Sequence, residues 1–198
     1  MMGDEDLHSG TYVWPNSGAH YTGKFKDGLP HGYGILTFPN NNKYIGEFCK
    51  GKRHGKGLFI WADGERYEGD FVDDQRCGYG VYHYKNGDVY EGDFFNGQKH
   101  GHGVYRSGSE VFRGQFKDGK REGPGRLEYS NGNVCEGIWH NGLRNGPGVF
   151  YWLNGDRYEG EYRDDKQHGK GTFYWANGDQ YTGDFVENER TGRGVFKA

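Results

Sequence analysis

Four histidines are the residues whose type and spacing first suggest chemistry, because imidazole is a common zinc ligand. They share one position of a repeat and are His31, His54, His100 and His168. In adjacent hairpins, equivalent atoms would lie roughly 10 Å apart, whereas Zn–N bonds are about 2.0 to 2.1 Å. Neighbouring histidines therefore cannot share an ion, and we predict no metal site and no cofactor. The other repeats place Cys77, Glu122, Asn145 and Thr191 here. This variety favours a structural role in which the side chain hydrogen-bonds backbone near a turn.

The other motifs associated with catalysis do not form complete sites. Glycine pairs of the form G-x-G recur, but neither GxGxxG nor GxxxxGK[ST] occurs, and both motifs need a following helix. Carboxylates such as Glu68 and Asp70 are expected on a flat solvated face, where nothing would raise the pKa of one by desolvation. Cys77 and Cys135 replace a histidine and a tyrosine of the repeat. We therefore predict no catalytic residue and no enzyme activity.

A row of basic residues precedes the second strand of most repeats. Its members are Arg53, Arg76, Lys99, Arg121, Arg144 and Arg190. We predict that this basic edge lines one long side of the sheet, opposite a set of acidic turns. Two interpretations remain open: a solvated border that discourages aggregation, or contact with anionic phospholipid, to which each cation adds roughly 1 kcal/mol. The acidic face would repel a bilayer.

Composition restricts the class of protein further. Of 198 residues 38 are glycine, and only 32% are hydrophobic although 17% are aromatic, which argues against a conventional two-layer core. The formal net charge of -3 argues against bulk attraction to nucleic acid. Three cysteines at unrelated positions indicate no disulfide framework. No apolar run approaches the roughly 20 residues of a membrane span, and the acidic N-terminal residues do not resemble a secretory signal. We expect a cytoplasmic protein.

The elements that position all these residues follow from a repeat. Eight units begin at Tyr21, Tyr44, Tyr67, Tyr90, Phe112, Cys135, Tyr158 and Tyr181, at intervals of 23 residues with one interval of 22. Each has glycine two residues later and an aromatic residue four residues later, and a spacing of two is that of a β-strand. Turn pairs such as Asp27-Gly28 and Asn96-Gly97 follow and favour the positive φ angles of tight hairpins. A second strand of the form G-x-G-x-aromatic completes most units.

From this pattern we predict an all-β fold, an elongated, twisted single-layer antiparallel sheet of tandem hairpins with two strands in each of the eight units. Residues 1–10 are expected to be an acidic tail and residues 11–198 one repeat array. Alternation places the rings on one face and carboxylates such as Glu68, Glu91 and Glu159 on the other. Glycines are expected to leave the space that the rings fill.

Two segments, YEGDFFNGQKHGHGVY (90–105) and YEGEYRDDKQHGKGTFYW (158–175), resemble MORN repeats. The resemblance runs from about residue 11 to residue 197. It implies an extended antiparallel sheet with a groove along one face, as found in scaffolds of cilia, cytoskeletal collars and membrane junctions. The lipid kinase and SET methyltransferase domains that accompany some MORN arrays are not recognised in this sequence.

The aromatic face is the predicted partner site. Its groove residues are Trp61, Tyr67, Phe71, Tyr84, Tyr90, Phe94, Trp139, Trp152, Tyr158, Tyr162 and Trp175. Two interpretations remain open, and both can hold. The rings are the core of a sheet without a second layer, or they form a groove for a helix or an extended peptide, since tyrosine and tryptophan dominate binding hot spots. Trp152 and Trp175, with Phe150, are expected to be a strongly binding part.

Two irregular regions carry further expectations. The connection at 106–112 is one residue shorter than its counterparts and lacks the aromatic residue that should follow Tyr105. We predict a break in the ring ladder near Ser107, with a bend or notch. The strand ending in Val195-Phe196-Lys197 has a poorly defended edge, which predicts a homodimer through the C-terminal repeats. The alternative is that the chain is a fragment whose continuation covers this edge.

These patterns together predict a non-enzymatic cytoplasmic scaffold or adaptor that binds a helical or extended protein partner in the aromatic groove. The resemblance suggests a cytoskeletal or ciliary (flagellar) location. The alternative function is a peripheral membrane tether that binds anionic phospholipid through the basic edge.

Overall fold

The computed structural model describes residues 7–198, which form strands, turns and short connections. In chain order the strands are β1 His8–Val13, β2 His20–Lys26, β3 Leu29–Thr37, β4 Lys43–Cys49, β5 Lys52–Ile60, β6 Arg66–Val72, β7 Gln75–His83, β8 Val89–Phe95, β9 Gln98–Ser107, β10 Glu110–Lys117, β11 Lys120–Glu128, β12 Val134–His140, β13 Leu143–Tyr151, β14 Arg157–Arg163, β15 Lys166–Tyr174, β16 Gln180–Val186 and β17 Glu189–Lys197. Within these described residues, no helix is long and apolar enough to cross a membrane.

The strands belong to two compact units, a first unit that ends at Gln98 and a second unit that comprises Lys99–Ala198. In the first unit, each strand from β1 to β7 pairs antiparallel with the one that follows it. In the second unit, each strand from β9 to β16 does the same. The predicted all-β fold of tandem antiparallel hairpins is confirmed.

Strand β1 is an addition to the two strands predicted for each of the eight repeats. It pairs with β2 from His8 opposite Phe25 to Val13 opposite His20. Residues 8–10 of the expected acidic tail therefore belong to the sheet, and residues 1–6 lie outside the described part. The sequence does contain the signal, because Gly10 and Tyr12 repeat the glycine-x-ring spacing of a second strand.

Tight two-residue turns join the two strands of each repeat. Asp27 and Gly28 have φ angles of 53° and 73°, and Asp73 and Asp74 have 48° and 72°. Two successive positive φ angles are those of the type I′ turn, whose twist matches that of paired strands. The predicted turn conformation is confirmed. Asp74 adopts it without the conformational freedom of glycine, and its side chain has a separate role described below.

The core of a repeat is one aromatic ring that lies over two glycines of adjacent strands. Tyr44 is 0% exposed, and a Cβ atom added at Gly57 would lie closer than 3.0 Å to its ring. Gly46 pairs with Gly57 across β4 and β5, so the ring covers bare backbone. Tyr44 Oη donates a hydrogen bond to the Glu47 carbonyl at 2.9 Å. The glycines provide space for the ring, as predicted, and its buried hydroxyl is satisfied.

A β-bulge follows this glycine pair and decides which ring lies beside the basic residue. Gly46 pairs with Gly57, but Phe48 pairs with Arg53, so two extra residues of β5 are accommodated. Gly55, inside the bulge, has φ +73°. Residues directly opposite each other on antiparallel strands project from the same face. Alternation from Gly57 already puts Arg53 on the ring face, and the bulge sets it beside Phe48 instead of opposite Lys50.

The face opposite the rings is acidic only in part. Glu68 lies there, as predicted, but Ile35, Ile45 and Leu58 occupy the same face, paired in that order across β3, β4 and β5. The expectation of an acidic face is wrong for this region of the first unit. Its cause is that repeat two carries Ile45 where repeats three and four carry glutamate.

The connection between β9 and β10 is the irregular one. Ser107 pairs directly with Glu110, which leaves a two-residue turn, and serine occupies the position of a ring.

Because each repeat of such an array is stabilised mainly by its neighbours, we expect residues 103–114 to exchange amide hydrogens before repeats two and three do. Hydrogen exchange followed by mass spectrometry measures this order, and uniform protection would contradict it.

Candidate binding groove

Two ladders of rings run across the strands on one face. The first ladder is built from first-strand residues and is edge-to-face: Tyr44 lies 5.1 Å from Phe48 and 5.0 Å from Phe71, with interplanar angles of 90° and 80°. The second ladder is built from residues at the end of the second strand and just after it, and its rings are tilted: the ring centroid of Phe59 lies 4.5 Å from that of Trp61, which lies 5.2 Å from that of Tyr82. Both geometries are favoured for aromatic pairs.

Solvent exposure divides the predicted groove residues between the two interpretations. Seven are buried, each at most 6% exposed, and belong to the core: Tyr67, Phe71, Tyr90, Phe94, Trp139, Tyr158 and Tyr162. Four are only partly buried and can contact a ligand: Trp61, Tyr84, Trp152 and Trp175. The first ladder is therefore a core, and the second ladder supplies the accessible rings.

The basic residues are partly buried except for Arg190, which is exposed, and this disfavours the interpretation as a solvated border. The Arg53 side chain is only 20% exposed, and its Cζ lies 5.3 Å from the Phe59 ring centroid and 5.6 Å from that of Phe71. The other members of the row also lie over rings. The distances from arginine Cζ or lysine Nζ to the ring centroid are 5.1 Å for Arg76 and Tyr82, 4.6 Å for Lys99 and Tyr105, 4.6 Å for Arg121 and Phe112, 4.7 Å for Arg144 and Tyr162, and 5.2 Å for Arg190 and Trp175. These are cation–π distances, so each basic residue lies over rings of its own unit.

Two of these arginines are neutralised by the turn of the next repeat. Arg53 Nε donates to Asp74 Oδ1 at 3.0 Å, and Arg53 Nη2 donates to the Asp74 carbonyl at 2.8 Å. Arg144 makes the same pair of bonds to Asp165, at 3.1 and 2.7 Å. We call each arrangement an arginine clamp. It explains why aspartate, and not glycine, occupies the second turn position at Asp74 and Asp165.

Two other arginines lack such a carboxylate. Arg76 Nη2 donates to the Gly97 carbonyl at 2.6 Å, because glycine stands where Asp74 stands one repeat earlier. In the described residues, no carboxylate oxygen lies within 4.0 Å of the Arg76 or Arg121 guanidinium. Burial lowers the pKa of Arg121 from its ordinary value. These are cations whose charge is not matched locally.

A cleft of about 350 Å³ lies in the first unit where the ladders and the arginines meet. Its wall includes Phe59, Trp61, Phe71, Arg53 and Arg76. It combines a partly exposed indole with one neutralised and one unmatched guanidinium. Such a surface can receive an apolar side chain together with a carboxylate or a backbone carbonyl.

In three repeats, the side chain at the histidine position makes a structural hydrogen bond. Its side chain reaches the first turn residue of the next repeat: the Lys50 N–H donates to His31 Nδ1 at 3.4 Å. Glu122 and Asn145 accept equivalent bonds at 2.9 and 3.1 Å. Within residues 7–198, no group of three or more histidine, cysteine, aspartate or glutamate side chains could hold a metal ion.

Repeat six replaces its central tyrosine with Cys135. This thiol is 0% exposed and accepts a hydrogen bond from Arg144 at 3.5 Å, and burial raises its pKa. Trp139 fills the ladder, and its ring centroid lies 5.0 Å from that of Phe112 in an edge arrangement.

The residues that sequence reasoning missed are the clamp aspartates, Asp74 and Asp165. The signal in the sequence was an aspartate at a turn position whose positive φ favours glycine.

The MORN repeat family matches eight segments, residues 21–43, 44–66, 67–89, 90–110, 112–134, 135–157, 158–180 and 181–197. No curated protein sequence matches the chain.

Several solved structures are similar in fold. The G-box domain of the microcephaly protein CPAP is 13% identical, with a TM-score of 0.57, over 96% of this chain and 99% of that chain. The Drosophila melanogaster SAS-4 (dCPAP) TCP domain, in complex with a proline-rich motif of Ana2, is 10% identical with a TM-score of 0.47, over 75% and 81%. The Danio rerio CPAP TCP10 domain, in complex with a STIL peptide, is 12% identical with a TM-score of 0.47, over 96% and 94%.

Proposed function

Because this chain belongs to the MORN-repeat family, we propose that it is a scaffold or adaptor that binds an extended or helical segment of a partner protein in its aromatic groove. The observation that carries the proposal is the cleft between Trp61 and Arg76. The buried ladder already supplies the core, so the accessible rings and the unmatched cation are not needed for that purpose alone.

The chemistry of the groove specifies the partner segment. Trp61 offers a large apolar surface, which favours an aromatic or aliphatic side chain of the partner. Arg76 lies in a partly desolvated position, where pairing with a carboxylate gives more than it would in water. The partner segment should therefore carry an acidic residue next to an apolar one.

The second unit offers two partly exposed tryptophans in contact with the same phenylalanine. Trp152 lies 4.5 Å from Phe150 and 5.2 Å from Phe173, and Trp175 lies 4.9 Å from Phe173. We expect Trp152→Ala with Trp175→Ala to weaken partner binding at least about tenfold, since such indoles act as hot spots. Titration of a partner segment identified by proximity labelling measures the change in Kd, while circular dichroism should remain that of β-structure.

The control for this pair is Leu153→Ala, at a turn residue that is 75% exposed. It removes apolar surface beside the groove without touching a ladder. Unchanged affinity in the double tryptophan variant would reject this patch as the binding site.

In the first unit, Arg76→Met keeps the length of the side chain and removes its charge, so the affinity for the partner segment and its dependence on salt should both fall.

Phospholipid binding through the basic residues is the weaker alternative. Arg53 and Arg144 are neutralised by aspartates, and every member of the row except Arg190 is partly buried over rings. Co-sedimentation with phosphoinositide vesicles tests it, with Arg76→Glu, Lys99→Glu and Arg121→Glu combined. Binding that this triple variant abolishes would favour the tether over the scaffold.

The proposed place of action, a cytoskeletal or ciliary structure in the cytoplasm, rests on the family. Proximity labelling in the native cell tests it. Labelling confined to membrane proteins would contradict this location.

A further inference from the structure

The first unit carries a second surface, on the face opposite the ring ladders. A trough of about 570 Å³ lies there, bordered by Ile45, Leu58 and Val81 on one side and by Tyr33 and Tyr79 on the other. The backbone of three glycines, Gly46, Gly57 and Gly69, lies between these borders. The groove arginines and tryptophans take no part in it.

The apolar border is a row of directly paired residues across the strands. Ile35 pairs with Ile45, and Ile45 pairs with Leu58. The row then continues through Glu68 to Val81. Exposure is high for apolar residues: Ile35 is 38% exposed, while the flanking Tyr33 and Tyr79 are 61% and 50% exposed.

The other repeats show that the fold does not require this row to be apolar. The position of Ile45 is occupied elsewhere by Thr22, Glu68, Glu91, Arg113, Glu136, Glu159 and Thr182. In the second unit, Val149, the equivalent of Leu58, stands alone between Glu136 and Glu159. Only repeat two joins its neighbours into an unbroken run of three aliphatic side chains, so the patch needs an explanation other than folding.

We propose that this trough binds an amphipathic helix of a partner protein, with its apolar stripe on Ile35, Ile45 and Leu58 and a lysine or arginine over Glu68. Glu68 is exposed, and no cation of the described residues forms an ion pair with it. It interrupts the apolar row between Leu58 and Val81. A basic side chain on the helix therefore meets a charge that the unit leaves unmatched.

Geometry favours a helix over an extended peptide. The row advances about 4.8 Å per strand, close to the roughly 5.4 Å per turn of a helix lying across the strands. From Ile35 to Val81 it spans four strand intervals, about 19 Å, which corresponds to about 13 helical residues. The backbone groups of these strands are already used in the sheet, so a ligand must satisfy its own, as a helix does.

The probe is a labelled synthetic peptide of about 14 residues with leucine along one helical face and lysine beside it. Fluorescence anisotropy should show saturable binding to the full chain, and circular dichroism should show helix formation on binding. Ile45→Thr with Leu58→Thr, which copies Thr22 and Thr172, should weaken binding at least about tenfold. Val149→Thr in the second unit is the matched control and should change nothing.

Three further comparisons decide the occupant. A peptide with glutamate in place of lysine should bind at least about tenfold more weakly, and the groove variant Trp61→Ala should bind the basic peptide normally. Equal affinity for the two peptides, equal affinity in the double threonine variant, or no binding to the unaltered chain would overturn the proposal. Self-association, or binding to neutral vesicles, that the double variant abolishes would overturn it in favour of a second copy or a lipid surface.

Discussion

Gly171→Ala is expected to destabilise the second unit by about 3 kcal/mol, the upper part of the range for overpacking a core. A Cβ atom at this position would lie 2.6 Å from Cε2 and Oη of Tyr158. The ring cannot retreat, because Tyr158 is 0% exposed and lies 4.9 Å from Phe185 on its other side. Equilibrium unfolding in denaturant, followed by tryptophan fluorescence, measures the loss.

Repeat six provides a matched control for this substitution. Gly148 occupies the same second-strand position as Gly171, but Cys135 replaces the tyrosine, and the nearest atom to an added Cβ is the Glu136 carbonyl oxygen at 3.1 Å. Gly148→Ala should therefore cost less than about 1 kcal/mol. If both variants lost the same stability, the cost would come from glycine's backbone and not from the ring.

Alkaline pH should unfold the protein more steeply than it does an ordinary domain. Burial raises the pKa of the Tyr21, Tyr44, Tyr67 and Tyr90 phenols, and raises that of Tyr158 to about 12. Above pH 10 the unfolded chain releases these protons while the folded chain keeps them, so the free energy of unfolding falls as pH rises. For Tyr158 alone the loss between pH 10 and pH 12 is about 2 kcal/mol.

Denaturant unfolding at several pH values, with tyrosinate absorbance recorded in parallel, tests this expectation. Tyr158→Phe copies Phe112 and removes one titrating group, so the dependence of stability on pH should decrease by one proton. At neutral pH this variant should cost about 1 kcal/mol, because Tyr158 Oη donates to the Glu161 carbonyl at 2.9 Å. Tyrosinate that forms without loss of structure would contradict the expectation.

Local pattern was sufficient to predict the hairpins and the ring-over-glycine core. Each depends on residues close in sequence or on direct cross-strand pairs, such as Gly46 with Gly57. The position of Arg53 was not predictable in the same way. Its neighbour Phe48 depends on a two-residue bulge that only the register reveals, and a row of cations in a polar sequence is indistinguishable from a solvated edge.

The candidate site was predicted only in outline for a related reason. The pattern identified the aromatic residues but not which of them are buried. Tyr67 and Trp61 have similar polarity and periodicity, but Tyr67 belongs to the buried first ladder and Trp61 to the accessible second ladder. Ile45 was overlooked because its importance comes from Ile35 and Leu58 on neighbouring strands. Cross-strand neighbours of this kind are set by pairing between strands, beyond any single local segment.

The arginine clamp has a consequence for how the length of the array can change. Every contact between repeats is made in a fixed register, so Tyr67 meets Phe94 at 4.9 Å as Tyr44 meets Phe71 at 5.0 Å. Excision of residues 67–89 would bring Phe94 to the ring of Tyr44 and Gly97 to Arg53, in place of Asp74. The sheet would close over the gap, but one guanidinium would lose its counter-ion. Repeats are thus interchangeable as building blocks and not as electrostatic partners, so gain or loss of one unit redistributes charge along the groove.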